Sequence, residues 1–150
     1  MKTTSKETLR SHCAVNYGVE LVGDRWSLLI IRDIVFTGKK TYGQFLKSEE
    51  GIATNVLASR LAFLESQGIL SKTPSLADGR KDVYALTEKG LDLIPIMLSI
   101  IVWSAQHDAK SYVRNQQEFV ARISQHPEQV SEEVKALVRS GGCIFPDAKA

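Results

Sequence analysis

The order of segments between residues 51 and 90 constrains the fold of this chain most strongly. A helix-length segment at about 54–67 is followed by Gly68, a short apolar segment at 69–74, the turn Asp78-Gly79-Arg80 and a second short segment at 81–86. Asp-Gly between two such segments is typical of a β-hairpin. Thr87 and Glu88 then begin another helix, because threonine caps a helix and glutamate complements the positive end of its dipole. One polar helix face and one basic hairpin tip are therefore expected side by side.

A short helix precedes the helix at 54–67. Thr41 can cap a helix that runs to Lys47, and Glu49-Glu50-Gly51 forms a turn before the next helix. Two helices joined by such a turn form a helix-turn-helix, although other small helical bundles contain similar pairs. Two further helices are predicted upstream, at 13–22 and 25–36, with Gly23 ending the first and Asp24 capping the second. Followed by the hairpin, this order is that of a winged helix.

The helix at 54–67 has two unlike faces when its residues are placed about 100° apart. The core face holds Ala53, Leu57, Leu61 and Leu64. The opposite face is centred on Asn55 and Ser59 and is small and uncharged, whereas a solvated helix usually carries lysine and glutamate there. Short side chains permit close approach to base edges, and asparagine can form two hydrogen bonds with adenine. This face is predicted to enter the major groove of DNA; simple exposure to water is the alternative.

Basic residues stand beside this face. Arg80 lies at the tip of the hairpin at 74–82, and arginine is favoured in a narrow minor groove. Asp78 can hold the guanidinium in place, although a solvated charge on an ordinary turn is the alternative. Arg60 lies on the helix flank, where a phosphate contact or a structural salt bridge is open to it. The predicted DNA-contacting residues are Lys39, Lys40, Thr41, Thr54, Asn55, Ala58, Ser59, Arg60, Arg80 and Lys81.

The segment from Leu93 to Trp103 is apolar except for Pro95 and Ser99. Its 11 residues are too few to span a bilayer, which takes ~20, so no membrane partner is expected. A small domain covers one face of such a helix, and a second copy on a twofold axis would cover the rest. Pro95 is expected to kink the helix or to mark the end of its first turn. The predicted dimer-interface residues are Leu93, Ile96, Met97, Ile100, Ile101 and Trp103.

The predicted fold class is mainly α (α+β): a winged helix-turn-helix domain with a two-stranded wing and added C-terminal helices forming a dimer. Residues 1–108 form the DNA-binding domain with its dimerisation helix at about 88–108, and residues 109–150 form a C-terminal helical extension. Amphipathic helices are predicted in that extension from Ser111 to Gln125 and from Glu128 to Arg139, with Pro127 between them. They are expected to pack on the dimerisation helix or to wrap around the partner.

The composition argues against several other classes of protein. The net charge of +2 is weak evidence for a nucleic-acid partner. The case for such a partner therefore rests on where the basic residues lie. Cys13 and Cys143 are too sparse for a disulfide scaffold and form no Cys-x-x-Cys motif, which favours a cytoplasmic protein without a metal or other cofactor. A nucleophile elbow, a glycine-rich phosphate loop and paired acids are all missing from the sequence, so an enzyme is not expected.

Taken together, these segments resemble the HxlR-type winged-helix transcription regulators, relatives of the MarR group. The resemblance covers about 13–108 and rests on Cys13, Gly23–Ile30, Gly51–Leu61, Leu64-Glu65, Gly68-Ile69 and Tyr84–Gly90. It implies a bacterial homodimer that binds double-stranded DNA, often as a repressor. Such proteins often have a capping serine or threonine where this chain has Ala53, so Thr54 is the alternative cap here.

The resemblance also implies a response to oxidants or electrophiles through a cysteine at the position of Cys13. His12 and Arg10 could lower the pKa of this thiol, which makes Cys13 a candidate redox sensor and an electrophile or other small molecule a candidate effector. A small buried hydrophobe is the alternative interpretation of Cys13.

The protein is expected to be a homodimeric, sequence-specific regulator of transcription that acts as a repressor. It would read a pseudo-palindromic operator. Helix 54–67 would lie in the major groove and wing 74–82 in the minor groove. A winged-helix module for protein–protein association is the alternative.

Overall fold

A computed structural model of the chain describes residues 9–111 and 117–147, in which helices enclose one apolar core beside a two-stranded antiparallel sheet. This architecture confirms the predicted fold class, mainly helical with a two-stranded wing. The elements are α1 (Ala14–Val22), α2 (Ser27–Thr37), α3 (Tyr42–Leu46), α4 (Thr54–Ser66), β1 (Leu70–Pro74), β2 (Asp82–Leu86), α5 (Glu88–Leu91), α6 (Ile94–His107), α7 (Gln117–Gln125) and α8 (Pro127–Arg139).

Helix α2 forms the buried centre of the domain. Asp24 is not the N-cap residue predicted, because α2 begins at Ser27 and its N-cap is Trp26, but Asp24 Oδ2 accepts the N–H groups of Trp26 and Ser27 at 2.9 and 3.0 Å. Its Oδ1 accepts the Ser27 hydroxyl at 2.5 Å, so this buried hydroxyl is satisfied. The helix begins two residues later than predicted, since residues 25 and 26 form a turn. Its buried apolar residues are Ile30, Ile31, Ile34 and Val35.

Helices α3 and α4 form the predicted helix-turn-helix. Thr41 caps α3 in a capping box: its Oγ1 accepts the Gln44 N–H, and the Gln44 side chain accepts the Thr41 N–H. Helix α4 begins without a side-chain cap, so Thr54 does not take over that role. Ala53 is exposed and precedes the helix, which corrects its predicted place on the core face. Burial of Leu57, Leu61 and Leu64 holds α4 in place instead.

Strands β1 and β2 form the wing, in which Leu70 pairs with Leu86 and Pro74 with Asp82. The root of the wing is fastened to α5. The Thr87 hydroxyl donates to the Gly68 carbonyl at 2.5 Å, and the Thr87 N–H donates to the Ile69 carbonyl at 3.1 Å. Gly90 is buried against Ile69, the residue before β1, since a Cβ there would lie 2.3 Å from the Ile69 carbonyl oxygen. The tip, residues 75–81, extends beyond these contacts.

The predicted helix at about 88–108 is divided into α5 and α6 at residues 92 and 93. The reason is Pro95, which has no N–H to donate and lies in the first turn of α6, where none is needed. By length and composition alone, the 20-residue stretch Glu88–His107 could cross a membrane. That is weak evidence, because interior helices of soluble proteins meet the same test. In this stretch Ile94, Met97 and Leu98 pack in the core.

Helices α7 and α8 pack against α6 and against each other, as predicted for the C-terminal extension. Ile123, Val130 and Val134 join the same apolar core as the N-terminal elements. Of the predicted helix at 111–125, residues 112–116 lie outside the described residues, and α7 begins at Gln117. The division into two domains at residue 108 stays a prediction.

Candidate nucleic-acid interface

The outer face of α4 is exposed and built from short side chains. Leu57 and Leu61 are buried, whereas Thr54, Asn55, Ala58, Ser59, Ala62 and Ser66 are exposed. The hydroxyl of Tyr42 on α3 donates to the Thr54 carbonyl at 2.9 Å, which ties the first turn of α4 to the preceding helix. The face can therefore meet a flat or grooved partner at close range without moving a bulky side chain.

Arg80 extends into solvent from the tip of the wing, and its side chain is 92% exposed. Asp78 Oδ1 accepts both the Arg80 N–H at 3.1 Å and the Arg80 Nε at 3.2 Å, the predicted contact. These two hydrogen bonds, the backbone one first, lower the pKa of the Asp78 carboxyl. Lys81 beside it is exposed as well. The turn thus holds the backbone N–H and Nε of Arg80, while the rest of the guanidinium stays accessible to solvent.

Lys39 is not part of this surface, which corrects its predicted contact with DNA. The residue is 7% exposed, and its Nζ lies 2.9 Å from Ser48 Oγ and 3.3 Å from Asp33 Oδ2. A buried ammonium needs such partners because it has lost its water. Its neighbour Lys40 is exposed, and Thr41 is half-buried with its hydroxyl engaged in the cap of α3. Of the two lysines in this loop, only Lys40 can reach a phosphate from here.

Arg60 is occupied within the chain. Its Nη1 lies 3.6 Å from Asp24 Oδ1, and its guanidinium carbon lies 4.7 Å from the centre of the Phe63 ring. The sequence left a phosphate contact or a structural salt bridge open to Arg60, and the structure contains the salt bridge. The pair ties α4 to the start of α2.

A second ionic contact ties the helix-turn-helix turn to α2, and the sequence interpretation missed it. Arg32 Nη2 lies 2.7 Å from Asp33 Oδ1 and 2.9 Å from Glu50 Oε2. The hydrogen bond from Arg32 lowers the pKa of Glu50, and Ser48 Oγ donates to the other oxygen of Asp33. The available signal was the Arg-Asp pair at 32–33 inside an otherwise apolar helix, because charges in such a helix need partners.

Cys13 is exposed and immediately precedes α1. The backbone N–H groups of Asn16 and Val15 lower the pKa of its thiol, as expected for a thiolate at a helix N-terminus. The predicted cause is wrong in part, since the Arg10 side chain pairs with Glu20 and donates to Asn16 Oδ1 at 3.2 Å instead. Exposure rules out the buried-hydrophobe interpretation for this conformation.

An apolar strip runs along the exposed side of α6. Ile96, Ile100 and Trp103 are 48%, 44% and 63% exposed. Leu93 and Ile101 are half-buried, but Met97 is only 5% exposed because it packs into the chain's own core. Met97 is therefore removed from the predicted interface. We call Ile96, Ile100 and Trp103 the α6 strip.

An open groove of about 920 Å³ lies between α2 and α6. Its apolar lining includes Leu28, Phe36 and Ile101, and Ile100 belongs both to the groove and to the α6 strip. A second copy seated on the strip would therefore narrow the groove. Within residues 9–111 and 117–147, no group of three or more His, Cys, Asp or Glu side chains comes together as a metal site.

The helix-turn-helix, the wing fastened beside it and the exposed face of α4 define a winged helix-turn-helix protein. Residues 21–112 match the family model described as HxlR-like helix-turn-helix, and the chain belongs to this family. The resemblance stated from the sequence is thereby confirmed.

Known relatives and structures agree with this assignment. An uncharacterized HTH-type transcriptional regulator of Mycobacterium bovis is 35% identical over 94 residues, which make up 63% of this chain and 58% of that protein. The crystal structure of PA1607, a candidate transcription factor, is 36% identical with a TM-score of 0.63, over 70% of this chain and 74% of that one. The redox regulator HypR in its oxidized form is 26% identical with a TM-score of 0.55, over 67% and 100%. The chain thus spans little more than half the length of the mycobacterial relative.

Proposed function

We propose that this protein is a homodimeric, sequence-specific DNA-binding regulator of transcription that acts as a repressor. The observation that carries the proposal is the joint exposure of the small-residue face of α4 and of Arg80 at the wing tip. The mycobacterial relative, named as a transcriptional regulator, supports the same function. A winged-helix module that binds another protein through the same face is the alternative.

In the proposed complex α4 lies in the major groove and the wing, 74–82, in the adjacent minor groove. Asn55 reads an adenine, while Thr54, Ala58 and Ser59 approach base edges and thymine methyl groups. Arg80 enters the minor groove, and Lys40 and Lys81 neutralise phosphates. Thr41 contributes by fixing the start of α3. Arg60 reaches a phosphate only if it leaves Asp24, so we assign it a structural role.

The proposed dimer forms through the α6 strip. An isoleucine pair and a tryptophan left in water on one side of a helix are stabilised by burial against a twofold-related copy. Two copies would present two α4 helices about 34 Å apart, one turn of DNA, which requires a pseudo-palindromic operator.

Arg80→Ala and Asn55→Ala are expected to weaken DNA binding in different ways. Loss of Arg80 removes one charge contact, so affinity falls for all sequences and the slope of log affinity against log salt becomes shallower by about one unit. Loss of Asn55 removes about 1–3 kcal/mol of discrimination at one base pair and leaves the salt slope unchanged. Fluorescence anisotropy with a duplex selected from a random pool, and with its single-base variants, measures both.

Wild-type binding to random duplex DNA provides the control. A DNA-binding protein keeps a weak nonspecific affinity that falls steeply with salt, whereas a protein-association module does not. Unchanged affinity and footprint in both variants would refute this interface.

We also propose that Cys13 gives the protein a redox or electrophile response. An exposed thiol whose pKa is lowered by two backbone N–H groups reacts faster with electrophiles near neutral pH than an ordinary cysteine. The similarity to HypR, named as a redox regulator, supports the same role.

Cys13→Ser is expected to retain DNA binding and to lose its change in affinity on treatment with diamide or a quinone. In the wild type, the rate of iodoacetamide labelling at Cys13, followed by peptide mass spectrometry, is expected to rise with pH around a midpoint below that of a cysteine in an unstructured peptide. The direction follows because hydrogen bonds to the thiolate favour its formation. An equal oxidant response in variant and wild type removes Cys13 from the mechanism.

A further inference from the structure

The loop from Gly38 to Thr41 contacts four parts of the molecule within four residues. It ends α2, begins α3, touches the wing and borders residues 143–145. We call Cys143–Phe145 the C-terminal strap. The strap lies beyond residue 112, where the match to the HxlR-like family model ends.

The strap completes the end of α2. The Ile144 N–H donates to the Val35 carbonyl at 2.9 Å, and the Phe145 N–H donates to the Phe36 carbonyl at 2.7 Å. Both carbonyls belong to the last turn of α2, where a helix has no further N–H groups of its own to offer. The Phe145 ring packs edge-on against Phe36 and Phe119, with centroids 5.5 and 6.3 Å apart. The strap is therefore held to α2 by both backbone and side-chain contacts.

Cys143 of the strap reaches the loop itself. Gly38 adopts a left-handed conformation with φ of 68°, and a Cβ added there would lie 3.2 Å from Cys143 Sγ. The thiol thus packs directly over the residue at which the chain turns out of α2. Any displacement of the strap changes the packing at this turn.

The same loop sets the position of the wing and of α3. The Lys40 carbonyl accepts the Tyr84 N–H from β2 at 2.8 Å, and the Tyr84 ring packs edge-on against Phe45 of α3 at 6.3 Å. The Lys40 N–H donates to the Gln44 side chain at 2.7 Å. The strap therefore meets the loop through the packing of Cys143 on Gly38, and the loop meets β2 and α3 through the hydrogen bonds of Lys40.

We infer that the C-terminal strap is a positioning segment that holds the Gly38–Thr41 loop, and with it the wing and α3, in the arrangement that engages DNA. The inference rests on the proposed DNA-binding function. It assigns a role to a segment whose residues reach neither the exposed face of α4 nor the wing tip.

Phe145→Ala is expected to lower affinity for the selected duplex by roughly 2-fold to 30-fold, the range seen when residues that couple two sites are changed. The salt slope should stay unchanged, because no charge contact to DNA is removed. The matched control is Ile123→Ala, which also removes apolar volume in the C-terminal region but from α7, an element that packs on α6 and α8. Binding is measured at a temperature at which both variants are folded by circular dichroism.

A loss of affinity for the duplex in Phe145→Ala but not in Ile123→Ala supports the positioning role of the strap. Equal losses in the two variants, or wild-type affinity in both, overturn it. If Phe145→Ala does not fold, Phe145→Leu keeps most of the apolar volume while removing the ring contacts, and the same comparison applies.

Amide hydrogen exchange without DNA keeps the two proposals apart. In Phe145→Ala the Tyr84 and Lys40 N–H groups should exchange faster than in the wild type, while the Val130 N–H on α8 should not. Unchanged exchange at Tyr84 and Lys40 overturns the strap even if DNA binding is observed. If exchange is faster in Phe145→Ala but the wild type binds no duplex DNA, the role of the strap in holding the loop is supported and the proposed function is refuted.

Discussion

Replacing Ile100 by aspartate is expected to turn the proposed dimer into a monomer and to weaken operator binding by about 10²-fold to 10⁴-fold. Ile100 lies in the middle of the α6 strip, so a dimer through this strip would bury the new carboxylate without a partner. A monomer holds one half-site at a time and loses the gain of binding both together. Ile100 is 44% exposed in the single chain, so the substitution should leave the fold intact.

Light scattering coupled to size-exclusion chromatography gives the oligomeric state, and anisotropy with the selected duplex gives the affinity. Leu137→Asp is the control, because Leu137 is also an exposed apolar residue but lies on α8. A variant Ile100→Asp that stays dimeric would show that the α6 strip is not the interface. A wild type that is monomeric at micromolar concentration and still binds DNA would contradict the dimer altogether.

Asp33→Ala is expected to lower the free energy of unfolding by about 3–5 kcal/mol, the usual cost of removing one partner from a buried ion pair. The substitution leaves the Lys39 ammonium buried without its carboxylate and removes the acceptor of Ser48 Oγ. It also removes a contact of Arg32, which links α2 to Glu50 in the helix-turn-helix turn. Urea unfolding followed by circular dichroism measures the loss.

Asp92→Ala is the matched control for this prediction. It removes an exposed aspartate whose Oδ1 lies 3.1 Å from Lys135 Nζ, and an ion pair with one partner in solvent contributes little to stability. The double variant Asp33→Ala with Lys39→Met should recover part of the lost stability, since it removes the unpaired charge. If Asp33→Ala and Asp92→Ala lower the free energy of unfolding by the same small amount, the Asp33 site is well hydrated.

The salt dependence of DNA binding checks the reassignment of Lys39. If its ammonium stays buried, Lys39→Met leaves the salt slope as it is in the wild type, whereas Lys40→Met makes the slope shallower by about one unit. A shallower slope for Lys39→Met would restore the direct contact predicted from sequence.

Local patterns carried most of what could be predicted from the sequence. The helix cap at Thr41, the buried leucines of α4 and the Asp78 contact of Arg80 depend on residues a few positions apart, so spacing alone indicates them. The same reasoning correctly predicted an apolar helix at α6, because a long apolar run with few polar residues has few other structures open to it. Pro95 was recognised as a boundary, although the break before α6 was not.

The errors arose where distant segments decide the environment of a residue. Lys39 follows a helix and looks like a surface lysine in sequence, but Asp33 and Ser48 close over it only in the folded chain. Met97 cannot be separated from Ile96 and Ile100 by composition, since burial depends on where α6 meets the core. The strap lies more than a hundred residues from α2, and backbone hydrogen bonds such as that from Ile144 to Val35 leave no side-chain pattern to find.

The way the wing is fastened separates two kinds of mutational change. At its base, Thr87 and Gly90 admit almost no substitution, because a hydroxyl bonded to the Gly68 carbonyl and a glycine pressed on the Ile69 carbonyl are both needed there. At residues 75–81 the side chains meet mainly solvent and one another. Paralogues could therefore exchange, lengthen or shorten this tip and acquire new operator preferences while inheriting the scaffold unchanged.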